Sequence, residues 1–192
     1  MPILLWIIFI MTLGLFGISL WSVNRDYTKR QQELSPFSVV VVWSAYLIHA
    51  GFTLMLAFSA PSGRFGVSTS FAHIGGGFIC GIGAWILFEG IFTFHSFSRM
   101  SGIDTSSLIT SGIYRLSRNP QNLGWFFILF GIGVIGRSLF ALFSAGVFLL
   151  VIHLYIVTME EPYLHEIYGG EYKNYRRNTA RYFGSPRNAP NP

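Results

Sequence analysis

Residues 112–124 read Gly112-Ile113-Tyr114-Arg115-Leu116-Ser117-Arg118-Asn119-Pro120-Gln121-Asn122-Leu123-Gly124, a polar and basic segment set between long apolar runs. Pro120 suits the first position of a helix, because the N–H that proline lacks would be unpaired there in any case. The segment therefore predicts a backbone corner that presents guanidinium and amide groups directly before a hydrophobic helix. A second polar segment, Glu160-Glu161-Pro162, ends the last apolar run and carries acidic groups that complement the basic ones of the corner.

The composition places this corner in a membrane protein. The chain has 192 residues, is 52% hydrophobic and carries 11% charged residues, whereas a soluble domain has about 25%. The net charge is +5, but the basic residues lie between and after the apolar runs. Anionic lipid and topology account for that placement better than nucleic acid does, so we expect membrane lipids as partners. The single cysteine, Cys80, excludes a disulfide within the chain.

We predict an all-α, polytopic fold with about five transmembrane helices, followed by a helical segment in the membrane interface. The expected spans are residues 2–23, 37–59, about 74–94, 123–135 and 139–159. The fourth is short for a full crossing of about 30 Å, so the last two should form a hairpin whose first arm is tilted or partly re-entrant. We treat 1–192 as one domain, with three spans in 1–94 and the corner, hairpin and tail in 95–192.

The basic residues predict the orientation, because loops rich in Lys and Arg stay in the cytoplasm. In a five-span model Arg64 and Arg137 fall on one side, and the other basic residues fall on the opposite side. The N-terminus is therefore predicted outside and the C-terminal tail inside. This topology brings Glu89, Arg118 and the paired glutamates to one membrane level.

The candidate catalytic residues are Glu89, His153 and Glu160. Ionisable groups in a span indicate function by default, and Glu89 would need a basic partner or a cation. His153 precedes Glu160 by seven residues, which places both on one face of a continuous helix. The alternatives are a packing role for His153 and a position of the glutamates just outside the hydrocarbon. The remaining histidines lack ligand spacing, so we predict no metal.

The candidate ligand-binding residues surround the corner. Arg118, Asn119 and Pro120 suit an anionic or amide-bearing ligand, because guanidinium groups match carboxylates and phosphates. The alternative is that the arginines bind lipid phosphates and set the topology. Gly81 and Gly83 would let a flat ligand approach the backbone, although close helix packing, for which Gly77 and Gly81 have the right spacing, is the other explanation.

Taken together, these motifs resemble the isoprenylcysteine carboxyl methyltransferase family and, more loosely, the phospholipid methyltransferases. The resemblance covers roughly the C-terminal half and rests on the order and spacing of five motifs: Gly112-Ile113-Tyr114-Arg115, Arg118-Asn119-Pro120 with Leu123-Gly124, Glu160-Glu161 with Leu164, Tyr168-Gly169-Gly170-Glu171-Tyr172-Lys173-Asn174-Tyr175, and Arg181. Asn119 stands where many relatives have histidine, and Asn122 where they usually have tyrosine. The acceptor therefore stays open between a phospholipid amine and an isoprenylcysteine-like carboxylate.

The resemblance implies a membrane enzyme that transfers a methyl group from S-adenosylmethionine to a lipophilic or amphiphilic acceptor at the cytoplasmic face. It implies cofactor-binding roles for Gly81, Gly83, Arg118, Asn119, Pro120, Leu123, Gly124, Glu160 and Glu161. Glu89, Glu160 or His153 would accept a proton if the acceptor is an ammonium.

Two other functions remain open from the sequence. A membrane reductase of the sterol or steroid type, which uses NADPH, has a similar basic corner with proline before its final spans. A non-catalytic membrane scaffold would retain the fold and bind neither cofactor. The paired glutamates and the motif from Tyr168 to Tyr175 favour the methyltransferase.

Overall fold

The protein folds as a bundle of helices. A computed structural model describes residues 3–29, 33–59 and 63–184, and within these ranges the elements are helical apart from one isolated bridge between Arg64 and Ser138. The helices are α1 (Ile3–Thr28), α2 (Pro36–Ser59), α3 (Thr69–Phe92), the short α4 (Phe97–Met100), α5 (Pro120–Ile135), α6 (Leu139–Tyr155) and α7 (Glu161–Asn178). A 3₁₀ turn covers Gly112–Arg115, and a π-helical turn at Ile156–Glu160 joins α6 to α7. The predicted all-α class is confirmed.

Four helical segments are long and apolar enough to cross a membrane: α1, α2, α3 and the continuous run from Leu139 to Asn178. Helix α5 is apolar but has 16 residues, which gives it a length of about 24 Å at ~1.5 Å per residue. The short fourth span predicted from the sequence is therefore present. The count of five is approximate, because four elements meet the length for a crossing. The composition and these helices together make the chain an integral membrane protein.

Helix α5 packs on α3 through glycines at which the two backbones meet. A Cβ atom at Gly83 would lie 2.8 Å from the carbonyl oxygen of Gly124, and one at Gly124 would lie 2.6 Å from that of Gly83. Gly77 and Gly81 have open space where their side chains would be. The sequence-based choice of Gly77 and Gly81 as packing residues is therefore wrong, because the contact face of α3 lies on a neighbouring strip of the helix.

The connection between α2 and α3 meets the turn between α5 and α6 at one end of the bundle. Leu139 N–H donates to the carbonyl of Gly63, and Phe65 N–H donates to the carbonyl of Arg137. Ser138 caps α6 by accepting from Ala141 N–H, and its hydroxyl donates to the carbonyl of Leu56. Arg64 and Arg137 thus lie at the same end, as the topology argument required.

Helix α7 is kinked at Gly169, which has φ 51° and ψ −117° inside an otherwise helical run. Its apolar stripe packs on the protein: Tyr172 and Tyr175 are buried against Tyr114 of the 3₁₀ turn, and Tyr175 Oη donates to the carbonyl of Tyr114. This tyrosine cluster fixes α7 against the corner.

Candidate functional site

The corner and the paired glutamates meet through three charged side chains. Arg118 Nη1 lies 2.8 Å from Glu161 Oε1, with both side chains less than a tenth exposed. Arg181 holds the same carboxylate with two hydrogen bonds, from Nε to Oε1 at 2.7 Å and from Nη2 to Oε2 at 3.0 Å. The hydrogen bond to Glu161 raises the pKa of Arg181, so the guanidinium stays charged. Arg118, Glu161 and Arg181 are called the Arg–Glu–Arg bridge below.

The segment after α7 returns across the corner and holds it in place. Arg118 N–H donates to the carbonyl of Ala180 at 3.0 Å, and Asn119 Nδ2 donates to the carbonyl of Arg181 at 3.2 Å. The hydroxyl of Tyr172 accepts from Arg118 Nη1 at 3.1 Å. The side chains of the corner are therefore oriented from both ends of α7.

A cavity of about 340 Å³ opens beside the bridge, between α1, α2, α5 and the α6–α7 junction. The volume lies within the range of about 300–1,000 Å³ that is typical of small-molecule sites. Its polar lining from the corner and the paired glutamates comprises Arg118, Asn119, Gln121, Asn122, Glu160 and Glu161. Its apolar lining from α1 and α2 includes Leu20, Val23, Val39, Val42 and Trp43. The size and lining of the cavity thus suit a ligand that has both a charged and an apolar part.

Several buried polar atoms at the cavity have no hydrogen-bond partner among the described residues. The four that belong to the corner, to α5 and to the π turn are Arg118 Nε, Gln121 Nε2, Trp125 Nε1 and Glu160 Oε2. A buried unpaired polar group costs about 1–3 kcal/mol, so this cluster marks a place where water or a ligand would complete the hydrogen bonds. Three of the atoms are donors and one is a carboxylate oxygen, a set that suits a ligand with both acceptor and donor groups.

The π turn explains why two adjacent glutamates face different surroundings. Glu161 N–H pairs with the carbonyl of Ile156, five residues earlier, and Pro162 has no N–H to offer to an α-helical register. This wide turn directs Glu161 into the Arg–Glu–Arg bridge and leaves Glu160 beside the cavity. Such π-helical turns are frequent at functional sites.

Tyrosines from three helices complete the site and are missed by the sequence reasoning. Tyr27 and Tyr155 join their hydroxyls at 3.0 Å, and Tyr46 donates to Asn122 Oδ1 at 2.7 Å. All three tyrosines line the same cavity as Glu160. A hydroxyl-bearing aromatic at the end of an apolar span is the sequence signal for Tyr27 and Tyr155, whereas Tyr46 lies in the middle of α2 and carries no such signal.

Some sequence candidates lie away from the cavity. Glu89 is exposed on α3 and forms no ion pair within the described residues. The ring of His153 bonds Tyr182 Oη through Nδ1 at 2.8 Å and does not line the cavity. The seven-residue spacing to Glu160 assumed a continuous α-helix, and the π turn changes that relation.

The remaining candidates lie outside the wall of the cavity. Gly81 faces open space, and Gly83 and Gly124 face each other across the α3–α5 contact. Pro120 and Leu123 are buried in the first turn of α5, next to cavity residues but not in its wall. Of the nine residues that the resemblance implies for the cofactor, the four that line the cavity are Arg118, Asn119, Glu160 and Glu161.

Comparison with known families agrees with this arrangement. Residues 71–171, more than half of the chain, match the family model described as phospholipid methyltransferase. The match begins in α3 and ends in α7, and so includes the corner, the hairpin and the paired glutamates. No curated protein and no solved structure matches the chain. The chain therefore belongs to the phospholipid methyltransferase family.

Proposed function

We propose that this protein transfers a methyl group from S-adenosylmethionine to a lipophilic or amphiphilic acceptor at the membrane surface. Membership of the phospholipid methyltransferase family supports the reaction class. The observation that carries the proposal is the cavity, where buried polar atoms of the corner and Glu160, without a partner among the described residues, meet apolar walls from α1 and α2.

The residues present fit the cofactor. S-adenosylmethionine carries a carboxylate, an amine, hydroxyls and a positively charged sulfonium. Arg118 and Asn119 are donors suited to the carboxylate or hydroxyls, and Glu160 is an acceptor suited to the amine. The rings of Tyr46 and Tyr155 in the cavity wall suit a sulfonium, because aromatic faces attract cations. When bound, the cofactor supplies an already activated methyl group.

The chain's own contribution is alignment, exclusion of water and control of one proton. The apolar walls keep water from the reacting groups, which favours transfer to the acceptor over hydrolysis. A carboxylate acceptor would need no base, whereas a lipid ammonium must first lose a proton. Glu160 Oε2, which is buried and partnerless among the described residues, is the atom that would take this proton. A phospholipid amine is therefore the acceptor that makes fullest use of Glu160.

The test is a transfer assay with purified protein, methyl-labelled S-adenosylmethionine and a total lipid extract, followed by identification of the labelled lipid. We expect label in an amine-bearing phospholipid. Glu160→Gln should reduce turnover at least about a hundredfold, the range of a lost general base. Glu166→Gln, an exposed carboxylate on α7 outside the cavity, is the matched control and should retain activity.

Direct binding of the cofactor separates the proposal from the alternatives. S-adenosylmethionine should bind to the unmodified protein in detergent, and NADPH should not. A protein that binds neither molecule, or that binds NADPH, would refute the proposal. If the label appears in a methyl ester, the proposed cofactor is supported, but the acceptor is a carboxylate and not an amine.

A further inference from the structure

A second concave surface lies on the far side of the Arg–Glu–Arg bridge. It encloses about 370 Å³, and we call it the arginine groove. Its lining residues come from the corner, the end of α7 and the segment that follows, and none of them is acidic: Arg118, Arg176, Arg177, Thr179, Ala180, Arg181, Phe183 and Gly184. Arg118 lines both the groove and the cavity, so the bridge forms a partition between them.

The positive charges of the groove are only partly balanced by the residues that the structure describes. Arg118 and Arg181 share the single carboxylate of Glu161. Arg176 and Arg177 are exposed in the last turn of α7 and make no side-chain hydrogen bond or ion pair within the described residues. Four guanidinium groups therefore line one concavity opposite one carboxylate, which leaves an excess of positive charge facing outward.

The arrangement and chemistry of these arginine side chains indicate which class of ligand the groove would bind. Guanidinium groups present donors in a planar fork that matches phosphate oxygens, and several of them around one concavity are typical of a phosphate site. Phe183, at the edge of the groove, is 71% exposed, as expected for an aromatic residue that enters the membrane interface. A phosphate next to an apolar contact is the chemistry of a phospholipid headgroup.

We propose that the arginine groove binds a phosphate group, carried by an anionic phospholipid headgroup or free in solution. The groove lies on the opposite side of the bridge from the cavity, with Arg118 common to both walls, and the proposal does not depend on methyl transfer. The Arg176 and Arg177 side chains supply the phosphate contacts that the bridge does not use. An occupied groove balances the positive charge on the outer side of the partition.

The test uses the full chain in a neutral detergent, titrated separately with a short-chain phosphatidylglycerol and with inorganic phosphate. Binding is followed by native mass spectrometry and by the rise in the unfolding temperature, since a ligand that binds the folded state stabilises it. The double substitution Arg176→Gln with Arg177→Gln should weaken binding roughly tenfold or more, because two charge-assisted contacts are lost. S-adenosylmethionine affinity, measured on the same variant, should not change.

The matched control is Lys29→Gln with Arg64→Gln, which removes the same charge from exposed positions outside the groove. It should change binding less than about twofold, since exposed charges at a distance are screened. Stronger binding of the lipid than of phosphate identifies the headgroup as the source, and equal binding identifies free phosphate.

Three results would overturn the proposal: no binding of either ligand, an equal loss in the control pair, or a loss of S-adenosylmethionine affinity in the Arg176 and Arg177 variant. The last would mean that the groove belongs to the cofactor site. A protein that binds phosphate in the groove but transfers no methyl group would refute the proposed function and leave this proposal standing.

Discussion

At the scale of single residues, two neighbouring glutamates have opposite environments. Glu161 has both carboxylate oxygens paired with arginines, whereas Glu160 Oε2 is buried without a partner among the described residues. A buried ion pair costs much to break, because the remaining charges lose their compensation. A partnerless buried carboxylate instead costs stability while it is charged. The two glutamates therefore differ in role: Glu161 holds the corner through its ion pairs, and Glu160 faces the cavity.

This division predicts different results for two conservative substitutions. Glu161→Gln should lower the free energy of unfolding by about 3 kcal/mol, because Arg118 and Arg181 lose their shared counter-charge. Glu160→Gln should change stability by less than about 1 kcal/mol, since no described hydrogen bond of Oε2 is lost. Unfolding in detergent, followed by circular dichroism, measures both. Equal losses for the two variants would contradict the assignment.

At the scale of elements, α5 is positioned by its contact with α3. The short helix carries the corner at its first turn, so its depth and rotation decide where Arg118 and Asn119 lie. Gly83 and Gly124 bring the two backbones together, and a Cβ at Gly124 would also lie 2.6 Å from Leu87 N. Small residues at such crossings allow the close approach on which helix association in membranes depends. The site is therefore built on glycine packing outside the cavity.

Alanine substitutions on α3 test this contact. Gly83→Ala should destabilise the protein by about 1–3 kcal/mol, because a methyl group there must separate α3 from α5. Gly81→Ala is the matched control, since nothing lies within 4 Å of its Cβ position. The unfolding temperatures of the two variants give the comparison. A larger fall in unfolding temperature for Gly81→Ala than for Gly83→Ala would contradict the assignment of Gly83 to the face of α3 that packs on α5.

Cofactor binding by the same two variants separates the cofactor roles that the resemblance implies from packing. Loss of S-adenosylmethionine affinity in Gly81→Ala, at unchanged stability, would support direct contact of the cofactor with the backbone at Gly81. Unchanged affinity in that variant would remove Gly81 from the site. A parallel fall of stability and affinity in Gly83→Ala would show that Gly83 acts through the position of α5.

At the scale of the whole molecule, the two ends of the bundle differ in charge. Arg64 and Arg137 lie at the end where the α2–α3 connection meets the α5–α6 turn. The opposite end carries the Arg–Glu–Arg bridge, the arginine groove and the basic last turn of α7. Because positive charge is enriched on the cytoplasmic side of membrane proteins, we propose that the cavity and the groove open toward the cytoplasm.

Labelling of single cysteines tests this orientation. With Cys80→Ser as background, Arg64→Cys and Lys173→Cys place thiols at exposed positions on opposite ends of the bundle. A maleimide that cannot cross membranes should label position 64 in intact cells and position 173 after permeabilisation alone. Labelling of both positions from the same side would contradict the orientation.

The sequence by itself determined the helical class, the membrane location, the short fourth apolar helix and, through the resemblance, the family. These features depend on the length and apolarity of segments and on motifs that are local in the chain. It also identified Arg118, Asn119, Glu160 and Glu161, which line the cavity in the structure. Their roles as cofactor ligands remain a prediction.

Which faces meet was decided by the tertiary structure alone. A membrane helix is apolar toward lipid as well as toward its neighbours, so hydrophobic periodicity does not reveal the packed face. For this reason the sequence offered Gly77, Gly81 and Gly83 alike as packing residues, although of these three Gly83 alone lies in the contact between α3 and α5, and it placed His153 with Glu160. The π turn, the tyrosines of the cavity and the arginine groove each join segments distant in the chain or depart from α-helical spacing. Local sequence patterns do not predict such contacts, because the contacts form, and contribute free energy, only when the helices pack together.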